Sequence, residues 1–131
     1  MAEVEKDFEK KVDEAIKCIK EIVNKLSTWN VEFEDVTYSS KHIGIEIQGG
    51  LEEDVIIELI KMGFVVEERV EDWDVFDRRV VLKDDGTLTY EKIDTIDGGQ
   101  EVYKTIIYTD FDNIDELLTK LKAYLVRLVA E

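Results

Sequence analysis

The spacing of apolar residues changes along this 131-residue chain, and these changes limit its fold more than any other feature. Residues 3–27 carry apolar side chains at intervals of three and four, which predicts a long amphipathic helix. From residue 31 to 109 the apolar residues mostly alternate with polar ones, the pattern of half-buried strands. Helical spacing returns at 51–62 and at 113–129. The predicted order of elements is therefore α-β-β-α-β-β-β-β-α.

Turn residues divide the alternating region into strands. Asp84-Asp85-Gly86 predicts a tight hairpin, and Gly63 stands where a helix would end in a left-handed turn. A phase slip at Asp35 predicts a β-bulge. Because most connections are too short for parallel crossovers, we expect an α+β fold: a largely antiparallel sheet of about five to six strands with helices packed on one face. With no linker or repeat, residues 1–131 are expected to form a single domain.

The charge of the chain is concentrated in its middle. The net charge is −15, from 32 acidic and 17 basic residues, and residues 31–110 contribute −13 of it. This distribution predicts a continuous anionic surface on the central strands, flanked by two electrically balanced helices. Such a field attracts basic protein partners and repels nucleic acid and membranes. If the carboxylates were instead scattered or matched to nearby cations, docking on that surface would lose its basis.

The most unusual segment interleaves two large aromatic residues with acids just after the predicted third strand. Aromatic anchors within a charged rim are typical of binding hot spots. The alternative is that the aromatics point inward and the acids are merely solvated. The candidate partner-binding residues are Glu71, Asp72, Trp73, Asp74, Phe76 and Asp77.

Few residues in the chain could carry catalysis or bind a cofactor. His42 is the lone histidine and Cys18 the lone cysteine, so a zinc site of the His/Cys kind cannot form within one chain. Cys18 is expected to be a half-buried structural thiol. The run from Asp110 to Asp115 fails the calcium-loop template and is better explained as a cap of the last helix. We therefore expect no catalytic residues, no metal and no cofactor.

The whole chain, including its MAEVEKDFEK start, resembles the small acidic proteins of unassigned role that rod-shaped viruses of hyperthermophilic archaea encode. The resemblance rests on length, on a composition rich in Glu and Lys and on the absence of motifs, so it carries over no site residues. It implies a thermophilic host and a role in virus–host contact. One cysteine and an N-terminus without an apolar core independently indicate an intracellular protein, in the host cytoplasm if viral.

Three functional hypotheses follow. The first is a non-enzymatic acidic protein-interaction module that docks on a basic partner, as a nucleic-acid mimic or host-factor antagonist. The second is a structural homodimer in which the long first helix packs against its twin, with Ile16 in the seam. The third is a metal-dependent hydrolase that uses a carboxylate cluster, which the acidic middle disfavours if the substrate is nucleic acid.

Overall fold

The structure is a computed structural model that describes residues 2–71, 75–92 and 101–130. These residues form three helices and six strands, in the predicted order. The helices are α1 (Ala2–Leu26), α2 (Glu53–Lys61) and α3 (Ile114–Ala130). The strands are β1 (Phe33–Ser39), β2 (His42–Gln48), β3 (Val65–Glu71), β4 (Val75–Leu82), β5 (Leu88–Lys92) and β6 (Glu101–Asp110).

The strands form one antiparallel sheet in the order β1-β2-β6-β3-β4-β5. The α+β prediction is confirmed. The last strand, β6, enters the centre of the sheet between β2 and β3, so two hairpins made early in the chain are joined by a late strand. The two edges of the sheet are β1 and β5.

Alternation along the strands separates a buried face from an open face. Ile43, Ile45 and Ile47 of β2 are buried and form the core with Val66 of β3 and Ile107 of β6. The helices cover this face: α1 lies against β2, and α2 lies against β3 and β4. The helices contribute many of the other core residues, among them Val12, Ala15, Ile19, Ile22, Val23, Val55, Leu59, Leu117, Leu118 and Leu121. The opposite face of the strands, here called the open face, has no described helix packed on it.

Helix α3 runs parallel to α1 and is tied to it by charged pairs. Lys11 lies 3.0 Å from Asp115, and Lys122 lies 2.6 Å from Glu14. On its other side, the hydroxyl of Tyr124 donates to a backbone carbonyl at the end of α2. The helical layer therefore holds its three members together mainly through α3.

Local signals in the sequence end the elements where expected. Gly63 adopts φ +99 and closes α2, with the amide of Phe64 donating to the carbonyl of Leu59. Gly86 adopts φ +87 in the β4–β5 turn, and β1 changes register between Phe33 and Asp35, so the predicted bulge is confirmed. Among the described residues, no helix combines the length and apolar character that crossing a bilayer requires.

Candidate binding surface

The open face carries a ladder of charges that are matched across strands. Glu67 of β3 stands opposite Arg79 of β4, and Arg69 stands opposite Asp77. Their side chains form ion pairs, at 3.3 Å for Glu67–Arg79 and 2.8 Å for Arg69–Asp77. Directly opposed charges of unlike sign are stabilising in a sheet. Asp77, one of the candidate partner-binding residues, is therefore neutralised by its neighbour.

The same matching continues toward β1 and β2. Lys104 of β6 lies 3.8 Å from the carboxylate of Glu34 and 3.7 Å from that of Glu46. At the far end of these strands, the Nδ1 atom of His42 lies 2.7 Å from the carboxylate of Asp110. The expectation of a continuous anionic surface on the central strands is thus wrong for the middle of the described open face, because Glu67 and Asp77 are each paired with an arginine and Lys104 lies between Glu34 and Glu46.

One tyrosine joins this ladder in the middle of the sheet. The hydroxyl of Tyr108 donates to the Glu67 carboxylate at 2.6 Å and accepts from the Arg79 guanidinium at 3.2 Å. Burial, followed by the hydrogen bond to Glu67, raises the pKa of Tyr108. The pKa of Arg79 is also raised, by its interaction with Tyr108 and by its hydrogen bond to Glu67. The network keeps Tyr108 and Arg79 protonated. Its hydrogen bonds link β3, β4 and β6 at the centre of the open face.

Acids without such partners gather at one end of the sheet. Antiparallel pairing puts the end of β3, the start of β6, the end of β2 and the start of β1 at the same end. Glu71 and Glu101 are both exposed there and stand directly opposite each other in the β3–β6 ladder. Exposed Glu32, Glu53 and Asp54 belong to the same end, before β1 and in the first turn of α2. We call these five residues the acidic end.

No lysine or arginine whose side chain the structure describes forms an ion pair with any residue of the acidic end. Like charges directly opposed across strands are destabilising. By sequence, residues 72–74 directly follow Glu71 and residues 93–100 directly precede Glu101, and together they contain four acids and no base. This end therefore holds five exposed acids without a described cationic partner, whereas Glu67 and Asp77 in the middle of the open face are each matched by an arginine.

An exposed aromatic side chain stands beside the acidic end. Trp29 is 51% exposed and lies in the turn between α1 and β1. The turn is held by Glu52, whose carboxylate accepts from the amide of Thr28 at 2.7 Å and from the hydroxyls of Thr28 and Ser27. These hydrogen bonds, led by the one from the Thr28 amide, lower the pKa of Glu52. The aromatic is thus presented on a tethered segment.

Only part of the predicted binding segment can be compared with the structure. Glu71 is exposed in the acidic end, as a binding role requires, whereas Asp77 is paired with Arg69. Asp72, Trp73 and Asp74 lie outside the described residues, and Phe76 is described through its backbone, which pairs with Val70. Sequence reasoning missed Trp29. The sequence did offer a signal: Trp29 lies between the helical spacing of residues 3–27 and the alternating pattern that begins at residue 31, and it fits neither.

The groups with catalytic potential are kept apart by the sheet. His42 lies on the open face, while Cys18 is buried in α1 on the helical side, so they cannot form a catalytic pair. Burial raises the pKa of Cys18, which disfavours the reactive thiolate form. Within residues 2–71, 75–92 and 101–130, no three metal-ligating side chains converge. The hydrogen bond between His42 and Asp110 orients the imidazole ring on the open face.

Comparison of the chain with protein-family models, with curated proteins and with solved structures finds no match in any of the three.

Proposed function

We propose that this protein is a non-enzymatic interaction module whose acidic end docks on a basic surface of a partner protein. The observation that carries the proposal is the opposition of Glu71 and Glu101 across β3 and β6. A cross-strand pair of like charge destabilises the free protein. A lysine or arginine placed between the two carboxylates would remove that repulsion.

The charge around this pair would act mainly on the rate of encounter. Screening reduces interactions beyond about 8 Å at physiological ionic strength, so the acids nearest the contact dominate. The middle of the chain contributes −13 of the −15 net charge, and the pairs of the open face cancel within themselves. A basic partner would therefore be steered toward the acidic end in preference to the sheet face.

Trp29 would act mainly on the lifetime of the complex. Tryptophan is over-represented among residues that dominate interface energetics, and Glu52 already restrains the turn that carries it. A tethered anchor loses less conformational entropy on binding than a mobile one. Loss of its contact area would speed dissociation more than it would slow association.

Further features of this proposal come from the resemblance to viral proteins. A nucleic-acid-binding protein offers the cationic surface that the acidic end would fit, and the protein would then act as a nucleic-acid mimic or host-factor antagonist inside the host cell. The acids that serve this role would repel nucleic acid itself. No cofactor is needed for such an activity.

Charge reversal at the acidic end tests the proposal. A panel of basic nucleic-acid-binding proteins and a Lys/Arg-rich peptide would be titrated by surface plasmon resonance with the wild type and the Glu71→Lys/Glu101→Lys variant. We expect this variant to lose about tenfold or more in affinity for members of the panel that bind, equivalent to about 1.4 kcal/mol. Trp29→Ala should mainly raise the dissociation rate.

The matched control reverses two exposed acids at the opposite end of the sheet. Asp84→Lys/Asp112→Lys changes the net charge by the same amount, and we expect its affinity to stay within about threefold of the wild type at physiological salt. Equal losses in the two double variants would show that net charge alone governs binding. Wild-type affinity that does not fall as salt rises, or no binding to any member of the panel, would contradict the proposal.

A further inference from the structure

The exposed surface of α3 carries large apolar side chains among its charged ones. Val126 and Val129 are 68% and 66% exposed, the highest fractions among the large apolar side chains that the structure describes. Ala123 and Ala130 are exposed beside them. The inner side of the same helix is buried through Leu117, Leu118 and Leu121. Val126 and Ala123 lie on the side of the helix turned away from this core, whereas Val129, eleven residues after the buried Leu118, lies on the flank next to α1.

The neighbouring surface has a shape that a helix can use. Between α1 and α3 runs a shallow groove lined by Glu21, Leu125, Val126, Val129 and Ala130. Val126 stands between this groove and the exposed row of Glu116, Ala123 and Arg127, where it forms a ridge of the kind that packs into a facing helix.

The charges on α3 are arranged so that the helix complements itself. Its first turn carries Asp115 and Glu116, and its later turns carry Lys120, Lys122 and Arg127. Glu116, Ala123 and Arg127 are spaced by seven and four residues, so they lie along one exposed row. In an antiparallel pair of identical helices related by a two-fold axis, Glu116 of one copy would approach Arg127 of the other.

We propose that two copies of this chain associate through the outer faces of α3, packed antiparallel with Ala123 near the two-fold axis. In this register Val126 packs against Thr119 of the partner subunit, and Arg127 pairs with Glu116 of the partner subunit. The small side chain of Ala123 lets the two helices approach closely at the crossing. The contact is isologous and closes on itself as a dimer.

A second copy suits this surface in spite of the high charge of the protein. Residues 111–130 contain three acids and three bases, so this is a locally neutral part of a molecule that carries −15 overall. The contact covers about three helical turns. We expect it to bury less area than the roughly 800 Å² per partner of a typical stable interface. We expect a weak dimer with a dissociation constant in the micromolar range or above. The proposal is independent of the acidic end.

The position of this contact differs from the seam expected on α1. Within residues 6–26 of α1, whose side chains the structure describes, Val12, Ala15, Ile19, Ile22 and Val23 are buried against the sheet and α3. Ile16 is half-buried and packs against the same core. Residues 6–26 of α1 therefore present little apolar surface to a twin, whereas α3 presents Val126 on its outer side.

Sedimentation velocity of the full chain, from about 1 μM to 1 mM, tests the dimer. We expect the wild type to shift from monomer to dimer across this range and Val126→Glu to stay monomeric. Tyr38→Glu places the same charge on an exposed apolar residue of the distant β1 edge and should behave like the wild type. Circular dichroism and the melting temperature would confirm that each variant is folded.

A charge swap identifies the register. Glu116→Arg and Arg127→Glu change the net charge in opposite directions, yet each should weaken the dimer about tenfold because each opposes like charges. The double variant should recover to within about threefold of the wild type. A wild type that is monomeric at every concentration, a dimer that survives Val126→Glu, or a double variant no better than the single ones would overturn the proposal.

Discussion

Glu68 lies on the helical side of β3 and is only 5% exposed, so its carboxylate is buried. Arg78 of β4 stands opposite, donates to it at 2.8 Å and in turn lies over the ring of Tyr90 at 3.8 Å. A buried charge is tolerated only when it is paired, and removing one partner of a buried pair costs much more than the pair itself contributes. This pair is therefore the charged contact on which stability depends most.

Arg78→Leu should lower the free energy of unfolding by about 3 kcal/mol, because Glu68 is left buried without its counter-ion. Urea denaturation at neutral pH would measure the loss. The double variant Glu68→Leu/Arg78→Leu should lose less than the single one, since no buried charge remains. Arg69→Leu makes the same change in the half-exposed Arg69–Asp77 pair and should cost about 1 kcal/mol or less. Equal costs for Arg78→Leu and Arg69→Leu would refute this ranking.

At the scale of elements, α3 begins at a defined cap. The side-chain oxygen of Asn113 accepts from the amides of Asp115 and Glu116, at 2.8 and 3.3 Å. These amides would otherwise lack partners within the helix. The cap fixes the start of the helix that links the other two.

Asn113→Ala should destabilise the protein by about 1 kcal/mol, because the two amides lose their acceptor. Asn113→Ser keeps an acceptor at the same position and should retain most of the stability. Thermal or urea unfolding of both variants would measure the difference. Equal stability of Asn113→Ala and wild type would mean that Asp112 replaces the lost cap.

The elements and their order could be predicted from sequence, because periodicity and turn residues act locally. The insertion of β6 between β2 and β3 could not be predicted, since the pairing of distant strands depends on the whole core.

The matching of charges between β3 and β4 could be predicted only in part. Residues 67–69 read Glu-Glu-Arg and residues 77–79 read Asp-Arg-Arg, which are complementary when the strands run antiparallel. Counting charge along the chain missed this because neutralisation depends on register. Trp29 was missed because it belongs to neither period.

At the scale of the whole molecule, the net charge of −15 acts on folding, docking and self-association in different directions. Bringing like charges together opposes the compact state and opposes contact between two copies. The same charge favours a basic partner. Salt screens all three effects, with a Debye length that falls from about 30 Å at 0.01 M to about 3 Å at 1 M.

Raising sodium chloride from about 0.02 to 0.5 M should therefore stabilise the fold, strengthen the α3 dimer and weaken docking at the acidic end. Urea midpoints, sedimentation and surface plasmon resonance of one preparation would measure the three responses. Potassium chloride at equal ionic strength serves as the control, because screening does not distinguish the two cations. If folding and dimerisation both weakened with salt, the matched ion pairs would outweigh the net repulsion. A response that differed between sodium and potassium would indicate specific ion binding in place of screening.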